Sequence, residues 1–152
     1  MQVTCGFTIP ITLYGLPPRL EDVIRVMGEI REAGFRTMEM EIVAGEYEEY
    51  ALNWEKVIRR SRSLGLEVVS IMAVTYEMFS FDRGRREQSV ADFEKICEMT
   101  AALGAGMVTN CFYLPPEMVS RERKSIYRGG PAIAVEIPEG FRWGDLRDLV
   151  KG

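Results

Sequence analysis

The chain runs three times from an amphipathic helix through a glycine into a short apolar strand. The junctions are Glu32-Ala33-Gly34-Phe35 before Thr37 to Val43, Ser63-Leu64-Gly65-Leu66 before Glu67 to Val74, and Ala102-Leu103-Gly104-Ala105 before 107–112. The glycines are 31 and then 39 residues apart (34 to 65, 65 to 104), one strand-plus-helix unit per repeat. Strands that alternate with helices demand a parallel sheet, and parallel α/β sheets gather ligands at the carboxyl ends of their strands. The pattern stops after about four strands. The expected architecture is therefore an α/β partial (β/α)8 barrel: about four parallel strands, three complete helices and a shortened fourth. The whole of 1–152 is read as one domain, with 117–140 as an irregular insertion or loop.

Bulk properties narrow the function classes. A chain of 152 residues with 47% hydrophobic and 28% charged residues has the make-up of a soluble globular domain with a real core. The net charge of −4 counts against a general nucleic-acid binder, which is usually basic. No apolar run approaches the ~20 residues of a membrane span, and the N-terminus lacks a secretory pattern. Three cysteines (Cys5, Cys97, Cys111) without CxxC spacing read as reduced thiols, so a cytoplasmic location is expected. The chain has no histidine at all, which removes the commonest neutral-pH acid/base and metal ligand. The cysteines are not spaced to replace it in a zinc site.

Residues 2–9 read as a first strand stopped by Pro10, followed by a loop with Gly15, Pro17 and Pro18. Leu20, Val23, Ile24, Met27 and Ile30 lie on one stripe of a helix over 20–33. After the strand Thr37 to Val43 comes an acidic loop, 46–50, and Asn53 is the candidate N-cap of a helix burying Trp54, Val57, Ile58, Ser61 and Leu64. Loop aromatics follow the strand Glu67 to Val74. A helix over 86–103 carries Val90, Phe93, Ile96, Cys97 and Leu103 on one side. Beyond Pro116 the chain turns polar. Residues 132–137 read as a short strand or extended loop, and 141–150 as the opening turns of a helix with Trp143, Leu146, Leu149 and Val150 inward.

Glu39 and Glu41 are the sharpest chemical signal. Two apart on a strand, they share a face, while Met38, Met40 and Ile42 face the other way. Carboxylates on an inner face need partners or water. Glu41, near the strand's carboxyl end, is a candidate for binding a ligand hydroxyl or for proton transfer, and Glu39 is a second candidate. Pairing with an arginine in a hydrated interior is the plainer alternative. Asn110, Thr8, Ser70 and Thr75 are candidate substrate-binding residues, each with a purely structural alternative; the parity of Asn110 against Thr109 and Cys111 is open. Tyr14, Tyr76, Phe79, Phe81, Phe112 and Tyr113 follow strands and suit either a ligand's apolar face or a capped barrel mouth. The basic groups Arg121, Arg123, Lys124 and Arg128, and Arg83, Arg85 and Arg86, read as phosphate grips or as solvated loops. No P-loop, GxGxxG, GxSxG or HExxH pattern occurs.

Gly34-Phe35-Arg36-Thr37-Met38-Glu39-Met40 resembles the Gly-aromatic, two residues, apolar-Glu-apolar segment at the second strand of the xylose-isomerase-like TIM barrels, the sugar-phosphate isomerase/epimerase group. Leu103-Gly104-Ala105 is similar to that family's fourth βα junction. The resemblance covers about 1–115 well and 138–150 loosely. It implies a (β/α)8 fold and a divalent-metal enzyme (Mn, Mg or Zn) acting on a sugar, sugar phosphate or polyol. In that family the ligands (Glu, Asp, His, Glu) come mainly from strands five to eight, so no metal ligand is assigned to this chain. Glu39 alone matches a family position, on the sugar-facing side.

Two functional readings follow. In the first, the chain is the N-terminal half of a sugar or sugar-phosphate isomerase/epimerase-like barrel, incomplete for catalysis alone. In the second, it is a self-associating half-barrel that binds a small polar ligand without metal catalysis, forming a homo-oligomer through open sheet edges. Neither calls for nucleic acid or membrane as partner.

Overall fold

In a computed structural model of the chain, the residues described are 4–15, 18–43, 47–111, 114–118, 137–142, 144 and 147. A short helix α1 (Thr8–Tyr14) is followed by α2 (Leu20–Glu32), from which helices and strands alternate: β1 (Thr37–Val43), α3 (Tyr47–Leu64), β2 (Glu67–Val74), α4 (Arg83–Leu103) and β3 (Met107–Cys111). The strands form one parallel sheet in the order β1-β2-β3. Short 3₁₀ turns, Tyr76–Phe79 and Pro116–Met118, follow β2 and β3. This is the partial TIM-barrel layout that the alternation of elements predicts.

The repeated glycine makes the same joint three times. After α2, the Gly34 N–H donates to Arg31 O (3.1 Å) and the Phe35 N–H to Ile30 O (3.2 Å). After α3, Gly65 bonds Arg62 O and Leu66 bonds Ser61 O; after α4, Gly104 bonds Ala101 O and Ala105 bonds Thr100 O. This pair of bonds is the Schellman cap, and it needs a left-handed residue between helix and strand. Gly104, at φ 85° and ψ 11°, sits in that region without the Cβ clash another residue would suffer.

One sheet face packs against the helices. Met38, Met40 and Ile42 of β1 and Val68, Ile71 and Ala73 of β2 join Val26, Met27 and Ile30 of α2, Trp54 and Val57 of α3, and Ile96 of α4 in a single buried cluster. Two buried donors lock its periphery: Trp54 Nε1 to Met99 O at 2.7 Å, and the Tyr50 hydroxyl to Pro18 O at 3.0 Å.

Several expectations are corrected. Residues 2–9 do not make a strand over their described part: Cys5 alone bridges β1, at Met38, and Thr8 opens α1. Pro10 sits in the first turn of α1, where its missing N–H has no helical acceptor to lose. The acidic segment from Tyr47 is the first turn of α3, placing Glu48 and Glu49 at the positive end of the helix dipole. Asn53 therefore lies inside α3, its amide bonded to Glu49 O, and caps nothing. Helix α4 starts at Arg83 because Asp82 accepts the Arg85 N–H at 3.0 Å. Its buried residues are Ser89, Ile96, Met99 and Thr100, and Val90 is 44% exposed. Residues 132–136 of the expected strand and most of the helix at 141–150 lie outside the described residues, as do Phe112, Tyr113, Arg121, Arg123, Lys124 and Arg128.

Candidate functional site

The sheet face turned away from the helices is assembled by register. Glu39 lies beside Ser70 and Ser70 beside Met107; Glu41 lies beside Met72 and Met72 beside Thr109. An irregularity sets this alignment: Met38 pairs with Val68, but Glu39 pairs with Ser70, leaving Val69 as an extra residue on β2. Without that bulge Val69 would face Glu39, and Ser70 would turn toward the helices. With it, the Ser70 hydroxyl, 3% exposed, donates to Glu39 Oε1 at 3.1 Å. The ladder continues to the N-terminal segment, where the Cys5 carbonyl accepts the Glu39 N–H at 2.9 Å. Gly6 adds no side chain beside Glu39: a Cβ there would come to 3.9 Å from Oε2.

Glu41 is the chemical exception on this face. It is 6% exposed, and its Oε2 has no hydrogen-bond partner among the described residues. Burial raises its carboxyl from 4.5 to about 7. A carboxyl removed from water and given no cation keeps its proton, which is cheaper than burying the charge. The Cys5 thiol is also raised, first by burial and then by the nearby Glu39 carboxylate.

The other candidates separate. Thr75, fully buried just beyond β2, donates through Oγ1 to Asn110 Oδ1 at 2.8 Å, and Asn110 Nδ2 donates to Met78 Sδ at 3.2 Å. Asn110 pairs with Ala73, so it shares the helix-side face with Val108; Thr109 shares the face of Glu41. Thr75 and Asn110 thus join the turn after β2 to the end of β3, away from the carboxyl ladder. Thr8 is exposed at the start of α1, its carbonyl accepting the Thr12 hydroxyl at 2.8 Å, and is not at a strand end.

A second polar cluster, which sequence reasoning missed, ties the loops after β2 and β3. Glu117 accepts a short hydrogen bond from the Ser80 hydroxyl through Oε1 and the Phe81 N–H through Oε2 at 3.2 Å. Arg85 bridges Glu117 (3.4 Å) and Glu77 (2.9 Å), and Arg86 donates to Ser80 O at 2.7 Å. Burial alone would raise the Glu117 carboxyl. The hydrogen bonds from Ser80, its own backbone and Phe81, with the Arg85 charge, outweigh it and hold the carboxyl below its ordinary value. Arg83 pairs with Glu87 at 2.7 Å, so this basic run is spent on intramolecular contacts. Among the aromatics, Phe81 packs on Phe141 at 5.9 Å between centroids, and Tyr14 lies under Arg25 and bonds Glu29.

Parallel βα units, helices on one face and a polar ladder on the other define a segment of an α/β barrel wall. Residues 27–131 match the profile of the xylose isomerase-like TIM barrels, and the chain belongs to that family. Among solved structures it is similar to a D-psicose 3-epimerase crystallised in the presence of D-fructose, with a TM-score of 0.52 and 12% identity, over 82% of this chain and 42% of the epimerase chain. The chain therefore spans under half of that structure, and at this identity the likeness shows the fold. No curated protein matches the chain in sequence. Within a barrel of this family, the ladder of Glu39, Glu41 and Ser70 faces the interior, and Glu41 lies toward the carboxyl end of its strand.

Proposed function

We propose that β1 and β2 form a substrate-facing wall of a sugar isomerase/epimerase-like barrel, binding a small polyhydroxylated ligand through Glu41, Glu39 and Ser70. The observation that carries this reading is the buried Glu41 carboxyl with an unpartnered oxygen. A buried polar atom without a partner costs stability unless something binds it, and a ligand hydroxyl supplies that partner. A carboxyl that titrates at about 7 is populated as both acid and base near neutrality, which suits a group that gives or takes a proton at a sugar oxygen. Glu39, already bonded to Ser70, orients rather than exchanges protons.

The family is typically metal-dependent, and this chain's residues do not fit a metal on their own. The sequence has no histidine, and among the described residues no three Cys, Asp or Glu side chains converge. No step through a metal is assigned to them. The test is nuclear magnetic resonance mapping of the 152-residue chain with ketoses and polyols. Shifts should cluster at Glu39 to Val43 and at Ser70 to Thr75. Shifts confined to the helical side, or none at all, would sink the reading.

A further inference from the structure

The inner face has a charge pattern that discriminates among sugars. β1 contributes Thr37, Glu39, Glu41 and Val43 to it, β2 Ser70, Met72 and Val74, and β3 Met107, Thr109 and Cys111. Among these described residues there are two carboxyls and three hydroxyls, and no lysine or arginine. Thr4 continues the pattern from the N-terminal segment, its hydroxyl 3.1 Å from that of Thr37. Two arginines elsewhere in the sheet's surroundings are engaged in other contacts: Arg31 Nε bonds Leu64 O, and Arg85 is held by Glu77 and Glu117.

We propose that this face takes the uncharged, hydroxyl- or carbonyl-bearing part of a ligand and excludes a phosphate, with Glu41 donating a hydrogen bond from its carboxyl to a ligand oxygen. The inference rests on the sugar-binding reading above and narrows its substrate class from sugars and sugar phosphates to uncharged ketoses and polyols. A phosphate brought against this face meets the Glu39 carboxylate in a partly dry site, where repulsion is strong, and finds among the face's described residues none of the guanidinium or ammonium donors that phosphate recognition uses. An uncharged sugar meets only acceptors and donors it can satisfy. A neutral carboxylic acid is both: its O–H donates and its carbonyl oxygen accepts. The groups beside Glu41 reinforce this, since its neighbours across the ladder are Met72 and then Thr109 and none of them can compensate a negative charge.

The experiment has two arms on the 152-residue chain. In the first, the Glu41 side-chain carboxyl is labelled with carbon-13 and titrated without ligand. Protonation persisting above pH 6 supports the inference, and titration in the ordinary carboxylate range overturns it whatever binds. In the second, D-fructose, D-fructose 6-phosphate and inorganic phosphate are titrated separately. The inference expects D-fructose to bind at least about tenfold more tightly than its phosphate ester, and inorganic phosphate to leave the Glu41 signal unmoved. Equal or tighter binding of the ester at Glu41 overturns the selectivity and leaves the sugar-binding reading intact. Binding of neither sugar removes that reading and this inference with it. Glu41→Gln, which keeps a donor, should hold D-fructose within about threefold of the unaltered chain. Glu41→Leu, which keeps the bulk, should lose about tenfold or more. Circular dichroism of both variants checks that they are folded, and equal affinities for the two would overturn the donor role.

Discussion

At the scale of single residues, Glu41 makes stability depend on pH in the opposite sense to a paired carboxylate. Its folded value of about 7 lies above the 4.5 expected when unfolded. Between these values the unfolded chain has released the proton and the folded chain keeps it, so stability falls as pH rises from 4.5 to 7 and levels off above. The full shift corresponds to about 3 kcal/mol. Glu41→Gln should therefore flatten that part of the profile and stabilise the chain above pH 7, as measured by urea midpoints from pH 4 to 8; a profile unchanged by the substitution would contradict the account. The shared face of Glu39 and Glu41 was legible in the sequence, because strand alternation decides it. What was not legible is that Ser70 meets Glu39 and that Glu41 meets nothing. Both depend on the Val69 bulge, which places two residues of β2 against one step of β1 and has no marker in the local sequence. The parity of Asn110 was undecidable for the same reason, since register is set by the neighbouring strand.

At the scale of elements, the joints should be separately testable. Gly104→Ala forces a Cβ into φ 85° and should cost about 1 kcal/mol in thermal or urea unfolding. Trp54→Phe removes the indole donor to Met99 O, leaves a buried carbonyl unpaired between α3 and α4, and should cost about 1–3 kcal/mol. Glu117→Ala cuts the bonds from Ser80 and Phe81 that bind the turn after β3 to the loop before α4. Amide hydrogen exchange should then quicken at Phe81 and Met118 while the amides of β1 keep their protection. Because the Glu117 carboxyl is held below its ordinary value, its contribution is present above pH 4.5 and is lost as pH falls through its folded value. β1, β2 and their glycine joints followed from the sequence because each carries a strong local signal. On helix α4 the spacing places Phe93, Ile96 and Leu103 against the core correctly, but it misses Ser89 and Thr100, buried polar residues that periodicity counts as solvent-facing, and it turns Val90 inward although that residue is exposed. Helix α1 was missed because Pro10 serves as well in a helix's first turn as at a strand's end. The Glu117 tie joins residues 37 apart, beyond the reach of any local pattern.

At the scale of the molecule, β3 is an edge of the described three-stranded sheet. On β3, Met107 is 53% exposed, Thr109 is exposed as well, and among the described residues β3 pairs only with β2. A strand with a free edge and an exposed apolar side chain tends to find another strand. We propose, as a second reading compatible with the sugar wall, that two copies of this chain associate through β3. Sedimentation equilibrium across a wide concentration range would then give a mass rising from one chain toward two. Met107→Lys should return it to one chain, because a lysine on an edge strand resists pairing and a buried ammonium at a copy-to-copy contact is costly. A single-chain mass at every concentration would remove the paired reading, while the ligand titrations on the sugar wall would stand unaffected.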